Sequence, residues 1–128
     1  MSVIHRVTAA VLGEPVPPPP TIAREDLPNG VTFRRGRLIP WIGGVLARAG
    51  APAAAVTLRN TIILRPDVQL SPQLLTHELV HVRQWRADPL FPVRYSLATL
   101  RHGYRDNPYE VEARQIASRH SSSSPMNG

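Results

Sequence analysis

The chain has no cysteine and no lysine among its 128 residues. The first absence excludes a disulfide framework and any thiolate metal site, so a metal ion here must be held by histidine, aspartate or glutamate. The second means that all 15 positive side chains are arginine, set against nine acidic residues for a net charge of +6. Aromatic residues make up only 5% of the chain. The arginines are scattered rather than gathered around rings, which reads as solvated surface and not as a nucleic-acid-binding face. No segment approaches the ~20 apolar residues of a membrane-spanning helix; Leu38 to Ala49 is the longest mostly apolar run. The N-terminal residues also lack the charged start, apolar run and small-residue cleavage site of a secretory signal. Together these absences lead us to expect a cytoplasmic protein with no membrane span.

Proline, by contrast, is abundant, with 14 residues. Four of them follow Val16 in succession, as a stiff polyproline II spacer would require, and we expect residues 1–20 to form a flexible, proline-rich segment. The serine-rich stretch 121–128 reads as a disordered tail. Residues 21–120 remain as one small domain, large enough for a modest core.

Within that domain the pattern is α+β. Val31 to Leu38 alternates loosely and predicts a strand that ends before Pro40. Trp41 to Arg48 predicts a short helix stopped by Gly50 and Pro52. Ala55 to Leu64 is rich in β-branched residues and predicts a hairpin or bent strand, with Arg59-Asn60 as a tight turn. Such a strand, lying just before the next helix, could run along a cleft and pair with an extended peptide. Ser71-Pro72 supplies an N-cap followed by proline at the first helical position, and neither Gly nor Pro interrupts the chain from there to Arg86. Val93 to Arg101 predicts a further helix ended by Gly103, and Asn107-Pro108 opens a last one running to about Arg119.

The helix after Ser71 contains His77-Glu78-Leu79-Val80-His81, an HExxH pentapeptide. Residues four apart share a helix face, so both imidazoles can reach one metal ion, while Glu78 lies beside that ion rather than on it. A carboxylate so placed can accept a proton from a metal-activated water, the role this pattern assigns it in hydrolysis. Leu75, Leu79 and Val82 cluster on the opposite side as an apolar back. Gln84, three residues after His81, either orients a ligand from behind or faces solvent.

Catalytic zinc sites usually keep three protein ligands and one open position. The candidates for the third are Glu110, Glu112, His102, Asp106 and Asp88. Glu110 and Glu112 lie about 200° apart on their helix, so only one can face the metal. Glu110 fits a capping box with Asn107. It also lies in line with Ala113 and Ala117, whose small size would let the two helices approach. Glu110 is preferred as ligand, with Glu112 as its support or an ion-pair partner.

The combination of HELVH with a downstream ExEA helix resembles the gluzincin branch of zinc metallopeptidases. More closely, the run NTIILRPDVQLSPQLLTHELVHVRQW looks like the small HExxHxxQ domain found near extracellular contractile injection systems. The likeness covers roughly residues 55–119, and HELVHVRQ and NPYEVEAR are its most specific parts. It implies a minimal zincin-like fold in which the HExxH helix packs on a second, glutamate-bearing helix beside a small hairpin or sheet. It also implies a Zn2+ cofactor on His77, His81 and Glu110, with Glu78 as general base. In many gluzincins an acidic residue or asparagine lies four places after the ligand glutamate; here that place is Arg114.

The expected function is therefore zinc-dependent cleavage of a peptide or protein substrate. Tyr104, with His102, Tyr109 or an arginine as alternatives, would stabilise the developing oxyanion. The competing expectation is a non-catalytic, zinc-stabilised binding or adaptor module, which would keep the ligands but have no use for Glu78.

Overall fold

A computed structural model describes residues 3–18, 27–39 and 54–123. The chain divides into two compact units, Met1–Gln69 and Leu70–Gly128. The predicted helix over Trp41 to Arg48 lies outside the described residues, as do the last residues of the serine-rich tail.

The first unit is α+β. Helix α1 (Val3–Leu12) precedes strands β1 (Glu14–Val16), β2 (Thr32–Arg35), β3 (Ala55–Leu58) and β4 (Thr61–Leu64), which form one sheet in the order β1-β2-β4-β3. Residues 3–16 carry a helix and a strand. Gly13 makes that junction possible. Its φ of +88° suits glycine, and a Cβ there would sit 2.2 Å from the Arg35 carbonyl oxygen. The predicted hairpin forms between β3 and β4, with Leu58 paired to Thr61 across the two-residue turn Arg59-Asn60. Arg59 adopts φ +56°, a positive value at the first turn position that two-residue hairpins commonly require. β4 is one of two inner strands, antiparallel to β3 and parallel to β2. Its successive residues Ile62, Ile63 and Leu64 are all buried, as expected where both faces of a strand are covered.

The second unit is three helices: α2 (Pro72–Ala87), α3 (Phe91–Asp106) and α4 (Pro108–Ser123). α2 begins as predicted. The Ser71 hydroxyl accepts from the Leu74 backbone N–H at 3.0 Å and proline occupies the first turn. Its burial is broader than an apolar back. Leu75, Val80 and Val82 are buried, and so are the polar Glu78, His81 and Gln84, so most of the face bearing the second histidine is packed rather than solvated. Gly103 ends the first helical stretch of α3 as predicted, with φ 79° and ψ 168°, and helical residues resume beyond it. At Asn107 the chain turns into α4. The Asn107 carboxamide oxygen accepts from the Tyr109 N–H, while its Nδ2 donates to the Tyr95 carbonyl and the Thr99 hydroxyl on α3. Asn107 is fully buried and all these bonds are made inside the unit, so one side chain both caps α4 and fixes its angle to α3.

Rings fill the space between these helices. Phe91 lies 5.4 Å from Trp85, 5.6 Å from Tyr95 and 5.0 Å from Tyr109 by ring centroids, distances at which edge and face contacts add to area burial. Across the other side, Ala113 and Ala117 of α4 are buried, and their small size lets α4 lie close against α2. That close approach brings Glu110 to the histidines.

Candidate metal centre

His77 Nε2 and His81 Nε2 lie 2.9 and 3.0 Å from the same oxygen, Glu110 Oε1. The three ligand atoms all fall within 4.8 Å of one another. First-row metal bonds of about 2.0–2.1 Å set at tetrahedral angles place neighbouring ligand atoms about 3.3 Å apart. The two histidine–carboxylate separations lie a few tenths of an ångström short of that spacing, and the donor set fits. Among the described residues this is the one such cluster. Its members are the two histidines of the pentapeptide and the preferred glutamate.

The rival ligands lie elsewhere. His102 and Asp106 are exposed. Asp88 accepts from the Leu90 backbone N–H and pairs with Arg94 at 2.8 Å. Glu112 accepts from Gln84 Nε2 at 3.1 Å, the supporting place expected of it. The capping-box use of Glu110 is not realised, because its carboxylate is taken up by His77, His81 and Tyr95.

Gln84 proves to be an internal residue, 9% exposed. Its Nε2 donates to two groups that can only accept, the Tyr109 carbonyl and the Glu112 carboxylate. The amide is thereby oriented with Oε1 towards His81 Nδ1, 2.7 Å away. Since Oε1 can only accept, Nδ1 carries the hydrogen and Nε2 is the nitrogen presented to the cluster. Outer partners of this kind are worth about 10–100-fold in metal affinity. Gln84→Leu is accordingly expected to weaken metal binding by about that factor, measured by calorimetry, with helix content unchanged by circular dichroism.

Tyr95 plays the matching part for Glu110: its hydroxyl donates to Glu110 Oε2. Burial, then the Glu110 charge, holds the Tyr95 phenol well above its usual range, so it stays a donor. Sequence reasoning placed Tyr95 on a helix but gave it no role. Only its i, i+4 spacing from Phe91 marks an inward face, and nothing in that spacing names Glu110 as the partner.

Glu78 is 4% exposed and is not a member of the ligand cluster. Its charge nevertheless acts on His81, Tyr95 and Tyr104, which places it beside the ligands as the pentapeptide geometry requires. Tyr104 follows the Gly103 break. Burial raises its phenol pKa, and Glu110 and Glu78 raise it further, so it is a neutral hydroxyl near the centre and still 36% exposed. Arg114, at the position where the gluzincin pattern has an acidic residue or asparagine, donates to the Arg105 carbonyl. The supporting bonds come from Gln84 and Tyr95 instead.

Burial disfavours charge on Glu110, but hydrogen bonds from His77 and His81 outweigh it and hold the carboxyl well below the ordinary range. Burial likewise lowers the His81 pKa, yet Glu110 and Glu78 overcome this and push it up from 6.5 to about 9. A proton and a metal ion thus compete for His81 Nε2. Because the folded value lies above the unfolded one, this contribution to stability is complete below about pH 6.5 and is lost as pH rises through about 9. Chelator-treated protein is therefore expected to lose melting temperature between about pH 7 and 9.5, and metal-loaded protein to be spared that loss, by differential scanning calorimetry.

Fold and cluster together define a small α+β protein with a candidate His-His-Glu metal centre. A sequence model of one family, the eCIS core domain, matches residues 46–89, and this supports an association with extracellular contractile injection systems. The match takes in β3, β4 and α2 with its pentapeptide and Gln84, and stops short of Glu110. No curated protein and no solved structure matches the chain significantly. No helix among the described residues is long and apolar enough to cross a membrane.

Proposed function

We propose that this chain is a zinc-dependent metallopeptidase. The observation that carries the reading is the convergence of His77, His81 and Glu110 on one point, with the buried carboxylate of Glu78 beside them and outside the ligand set. His-His-carboxylate sets of this composition suit Zn2+. A zinc ion there would supply Lewis acidity towards a scissile carbonyl and make a water nucleophilic near neutral pH.

The chain's own residues do the rest. Glu78 takes the proton from the attacking water and returns it to the departing amine. Gln84 holds the His81 ring in the tautomer that presents Nε2, and Tyr95 fixes the Glu110 carboxylate. Tyr104, a neutral phenol with part of its surface open, donates to the oxygen on which negative charge develops. The substrate class is a peptide or protein.

A second reading is favoured by one feature. The cluster and its support join all three helices of the second unit through Glu110, Gln84, Tyr95 and Glu112, as a purely stabilising ion would need. The two readings part on turnover. Metal-loaded protein is expected to cleave a quenched-fluorescent peptide library, to lose that activity to a chelator and to regain it with added Zn2+. Full zinc occupancy with no cleavage of library peptides or denatured protein would overturn the enzyme in favour of the binding module.

A further inference from the structure

Arg114 lies one turn beyond Glu110 on α4 and about 40° round from it. Glu110 is buried, whereas Arg114 is exposed. Side chains on a helix lean towards its N-terminus, so the long Arg114 stem runs back over the turn that carries Glu110. Its guanidinium donates to the carbonyl of Arg105, which precedes the first residue of α4 and adjoins Tyr104. The positive group is therefore set at the end of α4 that also holds Glu110 and Tyr104. Its charge is felt there: burial, then Glu110 and Glu78, raise the Tyr104 pKa, and Arg114 opposes them.

The bond to Arg105 uses a single donor of a guanidinium that has several. Among the described residues Arg114 forms no ion pair, neither with Asp106 nor with the two glutamates of the site. The rest of its planar fork belongs to an exposed side chain, and such a fork receives a carboxylate through paired N–H bonds. The cluster beside it carries two carboxylates of its own, Glu78 and Glu110. An anionic group of a substrate needs a fixed cation to settle so close to them, and Arg114 is in place to supply it.

We propose that Arg114 is a specificity residue of the candidate site, receiving a carboxylate of the substrate beside the metal cluster. The inference rests on the metallopeptidase reading and names its substrate class: peptides that present a carboxylate, from an acidic side chain or from the C-terminus, close to the bond that is cleaved. Arg114 touches no reacting atom in this role. Its contact is made in the ground state and the transition state alike, so its loss raises KM and spares kcat.

The test uses the full chain loaded with Zn2+ and two matched series of fluorescent peptides. In one, the same sequence ends in a free acid or an amide; in the other, end-blocked peptides carry glutamate or glutamine at each position in turn. The protein is expected to favour the carboxylate member of at least one series by about tenfold or more in kcat/KM, and the series that responds identifies the source of the carboxylate. Arg114→Gln should bring that ratio close to one through KM, and Arg114→Lys, which keeps the charge, should restore part of it. A disturbed fold would slow both members of a pair together and leave the ratio standing. Anisotropy with the zinc-loaded Glu78→Gln protein, with and without Arg114→Gln, reads the same preference without turnover. Equal cleavage of both members, or a preference that survives Arg114→Gln, would overturn the role of Arg114 and leave the peptidase intact. No cleavage, together with a binding preference that Arg114→Gln abolishes, would overturn the peptidase and keep Arg114 as the carboxylate site. Neither cleavage nor preference would overturn both.

Discussion

Glu110→Ala is expected to empty the metal centre, lowering affinity by on the order of a thousandfold, well beyond the 10–100-fold of a supporting residue. Three consequences follow from one deletion: the ion loses its carboxylate, two imidazoles lose the oxygen they share, and the Tyr95 hydroxyl loses its acceptor. The last two leave polar groups unsatisfied in a packed interior, which costs stability even without metal. Glu112→Ala is the informative control. It removes one of two acceptors from Gln84 Nε2 and leaves the Tyr109 carbonyl in place, so Gln84 should still hold His81 and affinity should change by less than about tenfold. Metal content by mass spectrometry and competition against a chromogenic chelator read both. An ion retained in Glu110→Ala and lost in Glu112→Ala would show that the wrong carboxylate has been assigned.

Glu78→Gln separates chemistry from binding. Glutamine matches glutamate in size and can sit in the same buried space, but it cannot accept a proton. Since Glu78 is outside the ligand cluster, metal content and melting temperature should be nearly unchanged. Peptide hydrolysis should fall by about 10²–10⁴-fold, the usual worth of a positioned general base. Undiminished turnover in a fully metal-loaded Glu78→Gln protein would remove the base from this carboxylate.

The candidate metal centre was legible to different depths because its parts are specified at different ranges. His77 and His81 are four apart on one helix, and local periodicity alone sets them side by side. Glu110 required a second inference, from Asn107-Pro108 as a helix start and from Ala113 and Ala117 as small residues on the same line. That line is where α4 meets α2. Gln84 could be read as an orienting group or as solvent-facing with equal justice, since its burial depends on Tyr109 and Glu112 from another helix. Tyr95 had no local signal because its purpose exists only after α3 packs against α4. The turn at Arg59-Asn60 and the cap at Ser71 were readable for the same reason as the histidines: their chemistry is complete within a few residues.

His77 and Glu110 stand 33 positions apart in the chain. An ion gripped by both closes a loop of that length, and closing a loop of about 30 residues in the unfolded ensemble corresponds to about 4 kcal/mol in the chain-entropy description of cross-links. In a chain without cysteine, such a bridge would be a staple made and broken by metal supply instead of by redox state. Chelators would open it, and reducing agents would leave it closed.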